Sequence, residues 1–587
     1  GTGTITRRLI ENSGFQVRKK NGTIANASKV YDGTDKFRLA DGSYLVAKTA
    51  GGSPNTGVVD QDKDNIYFTM TGNEGHFLKG TTGTDRTSHV SEARRVAYSV
   101  VANTKSETDS PLSNYYFGDS YAAADRRDLE SVNGADPRDA VTAVGSITPA
   151  SIQATTKEIT KVYDGMAEHT DGNRNIKRGS DIVSLVTMIT DETDGQPTNT
   201  STATYADKNV SRDGSGNVIK KNVTYKAQLT GTYADDYQIV DAGNHVISTT
   251  SGSGANKTVT ANLGTKSDAG KINPRKLNVT MGDVSKTYDG NAQNTSANIT
   301  QLTDEPTSSV IGTIFSGDGV SAGALQTQYT NMLHANTATS TYGSRTSSFT
   351  ANPNASNGTQ HDVQYANMDA AFRAAFSAVA DNYEIDSSAY GKGTINRKAI
   401  APGTFNVGGA AATKVYDGTS AYKVPSGQTL TANTGELVGT DANRIHFAID
   451  TRPGKGARFT KSDGVTETAN VADAARVAYD VMATADAGYE HLLRNYTLNG
   501  ANLEDGGSAT GVGTITRREL ELDLVQNSGI DKVYDRQTTL KDGAKHWNAL
   551  TKTDSEGNVQ YATGSNELVN DGTSLNITSN YMNDAGT

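Results

Sequence analysis

The chain has 587 residues, too many for one hydrophobic core, and its formal net charge of −10 is spread along it without a basic block. This charge argues against nucleic acid as a partner. Cysteine is absent, which excludes a disulfide framework, a thiolate zinc site and a cysteine nucleophile. No run of about 18 apolar residues occurs, so we expect no membrane insertion of this segment.

The composition favours thin β-sheets with polar faces. Apolar residues make up 35% of the chain, glycine is abundant with 60 residues, and the 26 tyrosines outnumber the 12 phenylalanines. Disordered chains combine low hydrophobicity with high net charge, and this chain lacks the second property. We therefore expect small cores, many turns and much polar surface.

One pentapeptide recurs along the whole chain. Lys-Val-Tyr-Asp-Gly, with small changes, stands at 29–33, 161–165, 286–290, 414–418 and 532–536. The tyrosines lie 118 to 132 residues apart, which is the size of a folded unit. A β-branched residue and an aromatic predict a strand, and Asp-Gly predicts the turn after it. We expect Tyr31, Tyr163, Tyr288 and Tyr416 to be buried, each with its hydroxyl near the surface or at a backbone partner.

The last copy of the pentapeptide departs from the pattern. Arg536 replaces the glycine. A positive φ is therefore either unnecessary there or adopted by a residue other than glycine.

A second motif marks the end of each repeat. Gly-Thr-Ile and close variants stand at 3–5, 145–147, 270–272, 393–395 and 513–515. Alternating runs such as 276–281 and 519–525 follow, and alternation is typical of a half-buried strand. No Pro/Gly/Ser linker intervenes, so we expect each closing strand to lead directly into the next opening strand. This arrangement predicts a stiff string of modules.

These repeats divide the chain into five predicted modules. They are module 1 (1–146), module 2 (147–271), module 3 (272–394), module 4 (395–514) and a partial module 5 (515–587). Because the chain starts and stops inside a repeat, we expect it to be a piece excised from a longer one.

A third element consists of two closing strands in each complete module. Alternating segments stand at 96–100, 223–229, 363–365 and 477–481, and Asn-Tyr or Asp-Tyr follows at 114–115, 236–237, 382–383 and 495–496. The stretch 474–485 has a helical pattern by itself, but its strictly alternating counterpart at 223–229 predicts a strand.

Two kinds of segment interrupt the β pattern. Phe372, Phe376 and Val379 have helical spacing after Asp369, which predicts a short capped helix over 369–379, and 489–493 is a second candidate. The polar insertions at 49–91, 191–221 and 317–360 are predicted to be surface loops, where binding differences between repeats would lie.

The expected fold class is mainly β, a tandem array of β-rich modules in an elongated rod. Strand count favours immunoglobulin-like sandwiches, whereas the helical segment 369–379 favours β-grasp-like modules with an occasional short helix. The residues leave both open.

The three motifs in fixed order resemble the YDG repeats, and the related MBG repeats, of large bacterial exoproteins of the filamentous-haemagglutinin-like adhesin type. The resemblance covers essentially the whole chain, with Arg536 as a departure. It implies a secreted or surface-tethered rod-like adhesin, located outside the cell or at the bacterial surface and exported by two-partner secretion. It supplies no catalytic or cofactor-binding residues.

We predict no catalytic, cofactor or metal residues, because a motif present in every module points to structure. Gly118-Asp119-Ser120 is similar to the start of a lipase-type nucleophile motif but has no supporting blocks. Asp60, Asp62 and Asp64 resemble half of an EF-hand loop. Asn65 and Thr71 replace the glycine and glutamate that calcium binding needs, so a solvated loop is favoured there.

Three functions compete. The first is a non-enzymatic stalk of a surface adhesin, whose loops recognise a host or bacterial surface glycan or protein. The second is a self-assembling extracellular filament or biofilm-matrix protein that binds copies of itself. The third is a glycan-active enzyme built on β modules, disfavoured because no unique carboxylate pair stands in a distinctive segment.

Overall fold

The computed structural model describes residues 2–49, 56–72, 74–106, 108, 110–186, 188–189, 195–304, 314–518, 521–524, 536, 547–553 and 559–561. Most of predicted module 5 lies outside these residues. The chain is mainly β with several sheets, as the sequence predicts. It forms two compact units, residues 1–276 with 378–384, and residues 277–377 with 385–587. None of the described helices is long and apolar enough to cross a lipid bilayer.

Twelve strands belong to predicted module 1. They are β1 (Arg8–Glu11), β2 (Ser13–Arg18), β3 (Ile24–Ala25), β4 (Ala27–Val30), β5 (Lys36–Phe37), β6 (Tyr44–Val46), β7 (Ile66–Met70), β8 (Gly75–Lys79), β9 (Ala93–Thr104), β10 (Tyr115–Gly118), β11 (Arg126–Asp128) and β12 (Ala140–Thr148).

Nine further strands complete most of the first unit. They are β13 (Ala150–Thr156), β14 (Ile159–Val162), β15 (Val183–Val186), β16 (Thr198–Asn199), β17 (Thr202–Tyr205), β18 (Lys221–Thr230), β19 (Tyr237–Val240), β20 (Ser248–Ser251) and β21 (Thr258–Asn273).

Predicted module 3 contains strands and two α-helices. They are β22 (Arg275–Met281), β23 (Val284–Thr287), β24 (Gln293–Asn294), β25 (Ile299–Asp304), α1 (Ala322–His334), β26 (Thr339–Arg345), β27 (Phe349–Ala351), β28 (His361–Ala366), α2 (Met368–Ala375), β29 (Tyr383–Ile385) and β30 (Ser388–Asn396).

The remaining strands follow Arg397. They are β31 (Lys398–Ile400), β32 (Asn406–Val407), β33 (Ala412–Val415), β34 (Ala421–Tyr422), β35 (Leu430–Thr431), β36 (Ile445–Ile449), β37 (Ala457–Thr460), β38 (Arg476–Ala485), β39 (Tyr496–Leu498), β40 (Ala501–Asn502), β41 (Gly507–Thr516), β42 (Glu521–Leu524), β43 (Trp547–Thr553) and β44 (Val559–Tyr561).

Short 3-10 helices connect many of these strands. They are Pro111–Asn114, Leu129–Ser131, Pro137–Asp139, Ala234–Asp236, Gly254–Asn256, Ser316–Asp318, Ala380–Asn382, Pro402–Thr404, Gly439–Asn443, Glu490–Asn495 and Leu503–Asp505.

Each of the first two modules combines a three-stranded sheet with a larger one. The small sheets have the orders β1-β10-β11 and β15-β13-β19, and the large ones run β4-β12-β2-β6-β7-β9-β8-β5 and β14-β21-β18-β16. The second unit repeats this scheme in the sheets β23-β30-β28-β26-β24, β31-β39-β40 and β32-β35-β36-β38-β37-β34. The largest fully buried side chains among the described residues are tyrosines, which explains their excess over phenylalanine.

The predicted closing strands are confirmed. The alternating segments lie in β9, β18, β28 and β38, so most of 474–485 is a strand, from Arg476 to Ala485, despite its helical pattern. The predicted module boundaries 146, 271, 394 and 514 fall inside β12, β21, β30 and β41, and they stay predictions.

The helix predicted over 369–379 is confirmed as α2, but its predicted cap is wrong. Asp369 lies within the helix, and the residue before the first turn is Asn367 in the left-handed conformation with a φ of 61°. Phe372 and Phe376 are buried as expected. The second candidate, 489–493, overlaps the 3-10 helix Glu490–Asn495.

The prediction that the three insertions are surface loops is wrong for much of their length. The first contains β7 and β8, the second β16 and β17, and the third α1, β26 and β27. Strands β7, β8, β16, β17 and β26 pair with the alternating strands, and β27 pairs with β26. Each added strand supplies hydrogen-bond partners for backbone groups that an edge would otherwise leave unpaired. Helix α1 had a readable signal in its Ser321 N-cap and in Leu325, Tyr329 and Leu333, which lie four residues apart and are buried.

Candidate functional site at the module joints

The two recurring motifs meet in one parallel strand pair. In module 1, Ala27 to Val30 pair with Gly145 to Thr148, and the same register relates β14 to β21, β23 to β30 and β33 to β41. The next residue of the motif strand is the tyrosine. Its backbone N–H donates to the last residue of the closing strand, as in Tyr288 to Asn396 at 2.8 Å. The start and the end of each module are thereby held side by side.

The lysine of the motif joins the strand to the turn that follows it. In module 3, the Lys286 ammonium lies 2.7 Å from Asp289 Oδ1 and donates to the carbonyls of Asn291 and Gln293 at 2.6 and 2.7 Å. The corresponding lysine–aspartate distances elsewhere are 2.5 Å (Lys29–Asp32), 2.7 Å (Lys161–Asp164) and 2.8 Å (Lys414–Asp417). Sequence reasoning missed this role, although the lysine stands three residues before the aspartate in every copy.

The turn itself has the predicted chemistry. Asp289 Oδ1 accepts the backbone N–H of Asn291, and Gly290 has a φ of 82°. Arg536, in the degenerate copy, has a φ of 65°. A positive φ is therefore kept there, by a residue that adopts it less readily than glycine.

The electrostatic environment of the motif differs between copies. The Lys161 and Asp164 side chains are fully buried, and burial lowers the pKa of Lys161 despite its bond to Asp164. Asp32 and Asp417 are half exposed. Burial raises the pKa of each carboxyl, but its lysine and a backbone N–H lower it more, so the pKa lies below the ordinary value.

In the second unit, the motif tyrosine of module 3 packs on the closing tyrosine of module 4. Tyr288 is 4% exposed, and its ring centroid lies 5.5 Å from that of Tyr496 in an edge-on arrangement. Both hydroxyls donate to Asp441 Oδ2, at 2.9 and 2.8 Å. Burial, followed by these bonds to Asp441, raises the pKa of both tyrosines.

A buried asparagine supplements this contact. Asn495 ends a 3-10 helix and is fully buried. Its Oδ1 accepts the backbone N–H of Ala355 at 2.8 Å, and its Nδ2 donates to Asn354 Oδ1 at 3.1 Å. The asparagine thus bonds both a backbone and a side chain of module 3. We call such a tyrosine pair with its buried Asn or Asp a module joint.

The first unit contains a second joint with the same bonds. The rings of Tyr163 and Tyr383 lie 5.5 Å apart, edge to face. Asn382 Oδ1 accepts the N–H of Val210 at 2.8 Å, and Asn382 Nδ2 donates to Asn209 at 3.0 Å. Asn382 is the last residue of a 3-10 helix, as Asn495 is.

A third joint among the described residues, also in the first unit, uses an aspartate and a histidine. Tyr31 and Tyr237 pack at 5.3 Å, again edge to face. Asp236 Oδ1 accepts the N–H of Val90 at 2.6 Å, and His89 Nδ1 lies 2.7 Å from Asp236 Oδ2. Burial raises the pKa of the Asp236 carboxyl, and the bonds from His89 and Val90 oppose part of that rise.

The predicted burial of the motif tyrosines is confirmed for Tyr31, Tyr163 and Tyr288, with at most 4% of each exposed, whereas Tyr416 is half-buried. The predicted hydroxyl environment is wrong for Tyr288, because its partner is a buried carboxylate. From the sequence, the Asn and Asp residues of the joints were predicted only to stand at the start of a closing strand, and their contacts with a neighbouring module were missed. Their position after a turn and before a repeated tyrosine was the available signal.

The aspartates that resemble a calcium loop lie in a different arrangement. Asp62 accepts the Tyr115 hydroxyl at 2.7 Å, and that hydroxyl also accepts the N–H of Val59. Asp60 and Asp64 are exposed, and the described residues contain no group of three or more metal-ligating side chains. Ser120 donates to Asp125 in an exposed turn.

Each joint combines a buried aromatic pair with a buried amide or carboxyl group. A scan against protein-family models finds no match for this chain, and a search of curated proteins finds no significant relative.

Proposed function

We propose that the chain is a non-enzymatic extracellular structural and adhesive repeat protein, and that its modules form the rigid, elongated stalk of a bacterial surface adhesin. The observation that carries the proposal is the repeated joint, which reappears with the same tyrosine pair and the same buried Asn or Asp. The motif resemblance to YDG repeats supports the extracellular location.

The joints support stiffness for two physical reasons. Their polar residues are almost fully buried, with exposures of 0% for Asp236, 2% for Asn382 and 0% for Asn495. Rotating one module against the next would leave these groups without partners, and an unpaired buried polar group is unfavourable. Pro149 alone separates β12 from β13, and Arg397 alone separates β30 from β31, so few freely rotating bonds remain.

Spin labels on both sides of the Tyr31–Tyr237 joint test its stiffness. The chain has no cysteine, so Ile24→Cys with Ile219→Cys, both exposed sites, places one label in each module. A stiff joint gives a narrow distance distribution by electron paramagnetic resonance. The matched control inserts about six Gly/Ser residues after Pro149 and replaces Tyr31 by Ala, which should broaden the distribution. An equally broad distribution in the unmodified joint would overturn the stalk.

The elongated form has its own test in small-angle scattering. A domain of this size has a radius of gyration of roughly 14 Å, so four to five modules in single file would span about 150–250 Å. A maximum dimension typical of a globule would contradict the proposal.

The adhesive part of the proposal places recognition of a host or bacterial surface glycan or protein in the segments that differ between modules. Binding of the whole chain to arrayed glycans and to cell surfaces tests it, with a chain shortened in the exposed turn 213–217 as the matched control. A filament of copies of itself is the second candidate, favoured by the exposure of Asn114 at the position that the joints bury. Ordered fibres in electron micrographs would select it.

A further inference from the structure

Module 1 exposes the residue that the joints bury. Asn114 ends the 3-10 helix Pro111–Asn114 directly before Tyr115, which is the position of Asp236, Asn382 and Asn495. Those three residues are at most 2% exposed because a neighbouring module covers them. Asn114 is exposed. Its side chain thus presents the amide acceptor and donor with which Asn382 and Asn495 bind a backbone and a side chain.

A second exposed feature lies directly before the same module. Ile5 is 100% exposed, whereas its counterparts Ile147, Ile272, Ile395 and Ile515 are at most 3% exposed. The counterparts lie in closing strands that pair in parallel with a motif strand. Residues 2–7, which contain Ile5, form no strand and lead directly into β1.

The carboxylate beside Tyr115 completes the pattern. Asp441 accepts two tyrosine hydroxyls, one from its own module and one from the module before it. Asp62 corresponds to it, since each stands three residues after the N–H donor to the closing tyrosine, Val59 or Val438. Within the described residues, Asp62 accepts one hydroxyl, that of Tyr115.

We propose that Asn114, Asp62 and residues 3–6 form the receiving half of a module joint, and that its occupant is one further module of this repeat type. This inference goes beyond the stalk, because it names a partner for a surface that the described joints leave exposed. The occupant contributes its motif tyrosine to Asp62 and a backbone N–H to Asn114. Residues 3–6 become its closing strand, with Ile5 in its core.

The chain itself shows that one of its modules fits. Residues 511–518 and 1–8 differ only at Val512 and Thr2. In module 4 the segment that contains Ile515 closes the sheet from β33 to β38. Residues 1–8 therefore have the alternation and the small residues that such a closing strand needs.

The test adds a module and measures thiol protection. A copy of residues 397–510 is fused directly before Gly1, so that residues 1–8 take the place of 511–518. Because the chain has no cysteine, Ile5→Cys and Asn114→Cys each introduce a unique thiol for maleimide labelling. Ile24→Cys, at an exposed isoleucine outside the joint elements, is the matched control.

In the extended chain, we expect labelling at positions 5 and 114 to slow by roughly tenfold or more, because a buried thiol reacts only through local opening. Labelling at position 24 should not change. Equal labelling of the extended and original chains would overturn the proposal. Concentration-dependent dimers of the original chain that protect position 114 would also overturn it, since the occupant would then be a second copy.

Folding of the added module is checked in the same sample. Hydrogen exchange of the peptide 476–485, which both copies share, shows one protected population if both are folded. If this peptide shows two populations, the added copy is not folded, and a copy of residues 274–390 is fused before Gly1 in place of the copy of 397–510. Failure of both copies to fold before Arg8 counts against the proposal, because neither would then be closed by residues 1–8. A broad spin-label distance distribution together with slowed thiol labelling would contradict the stiff stalk but not the receiving half of the joint. The two proposals can therefore fail separately.

Discussion

Tyr288 and Tyr496, which lie 208 positions apart in the chain, donate their hydroxyls to the same oxygen of Asp441 while their rings pack edge to face. One buried carboxylate thus connects the motif tyrosine of one module to the closing tyrosine of the next. Since both tyrosines are nearly inaccessible to solvent, the contact contributes apolar burial and two buried hydrogen bonds to Asp441.

Replacing Tyr288 by Ala is expected to lower the free energy of unfolding by about 3–5 kcal/mol, as truncation of a core aromatic does. Tyr288→Phe keeps the ring and loses one bond to Asp441, so it should cost about 1–2 kcal/mol. Urea unfolding, with hydrogen exchange to locate the effect in modules 3 and 4, measures both. The matched control is Tyr489→Ala at an exposed tyrosine, expected to change stability by under about 1 kcal/mol. Unchanged unfolding of both Tyr288 variants would show that the joint contributes nothing.

The joint that contains Asp236 should accept the amide that the other two joints use. In the variant Asp236→Asn, the new amide keeps an acceptor for the Val90 N–H and offers a donor to His89 Nδ1, as Asn382 does for its two partners. We expect its free energy of unfolding to stay within about 1 kcal/mol of the natural chain. Asp236→Ala instead leaves the Val90 N–H buried without an acceptor and should cost about 1–3 kcal/mol. Equal destabilisation by both variants, in urea unfolding, would contradict the equivalence of the joints.

The motif lysine should matter most where it is buried. Lys161→Met leaves the fully buried Asp164 carboxylate without its cation, which should cost about 3–5 kcal/mol. Lys414→Met leaves Asp417, half exposed, in contact with water and should cost about 1–2 kcal/mol. Thermal unfolding followed by circular dichroism compares the two. A larger loss for Lys414→Met would show that burial does not set the contribution of the pair.

The exposed copies of the pair should make stability depend on acid. The pKa of Asp32 lies below its ordinary value because Lys29 and the Thr34 N–H outweigh the effect of burial. The folded chain therefore binds fewer protons there than the unfolded chain. The stabilisation is fully present above the ordinary aspartate pKa of about 4 and is lost as the pH falls through the lower folded value.

We accordingly expect the stability difference between the natural chain and Asp32→Asn to shrink as the pH is lowered from about 6 to about 2. Asp417→Asn should show the same trend in module 4, because its pKa is lowered by the same contacts. Urea unfolding at a series of pH values measures the difference. A difference that stays constant with pH would contradict the assignment for both carboxyls.

Local sequence was sufficient for the strands of the repeated motifs and for the buried motif tyrosines Tyr31, Tyr163 and Tyr288. Alternation has the period of a strand whatever the neighbours are, and four repeats allowed 474–485 to be recognised as extended by comparison with 223–229. The helix α2 was also predictable, since Phe372 and Phe376 lie one helical turn apart. The cap of α2 was not predictable, because Asn367 adopts a left-handed backbone conformation that the pattern of side chains does not indicate.

The sequence by itself therefore determined the repeat period, the strands of the repeated motifs and the burial of three of the four motif tyrosines, since each depends on residues close together in the chain. The tertiary structure alone decided which residues meet at the joints. Asn495 accepts a hydrogen bond from Ala355, and Tyr288 donates one to Asp441. More than a hundred residues separate the members of each pair, and sheet pairing sets the path of the chain between them. The role of Asn114 likewise follows only from comparing exposures in space. A polar residue before a tyrosine looks the same in sequence whether a neighbouring module covers it or water does.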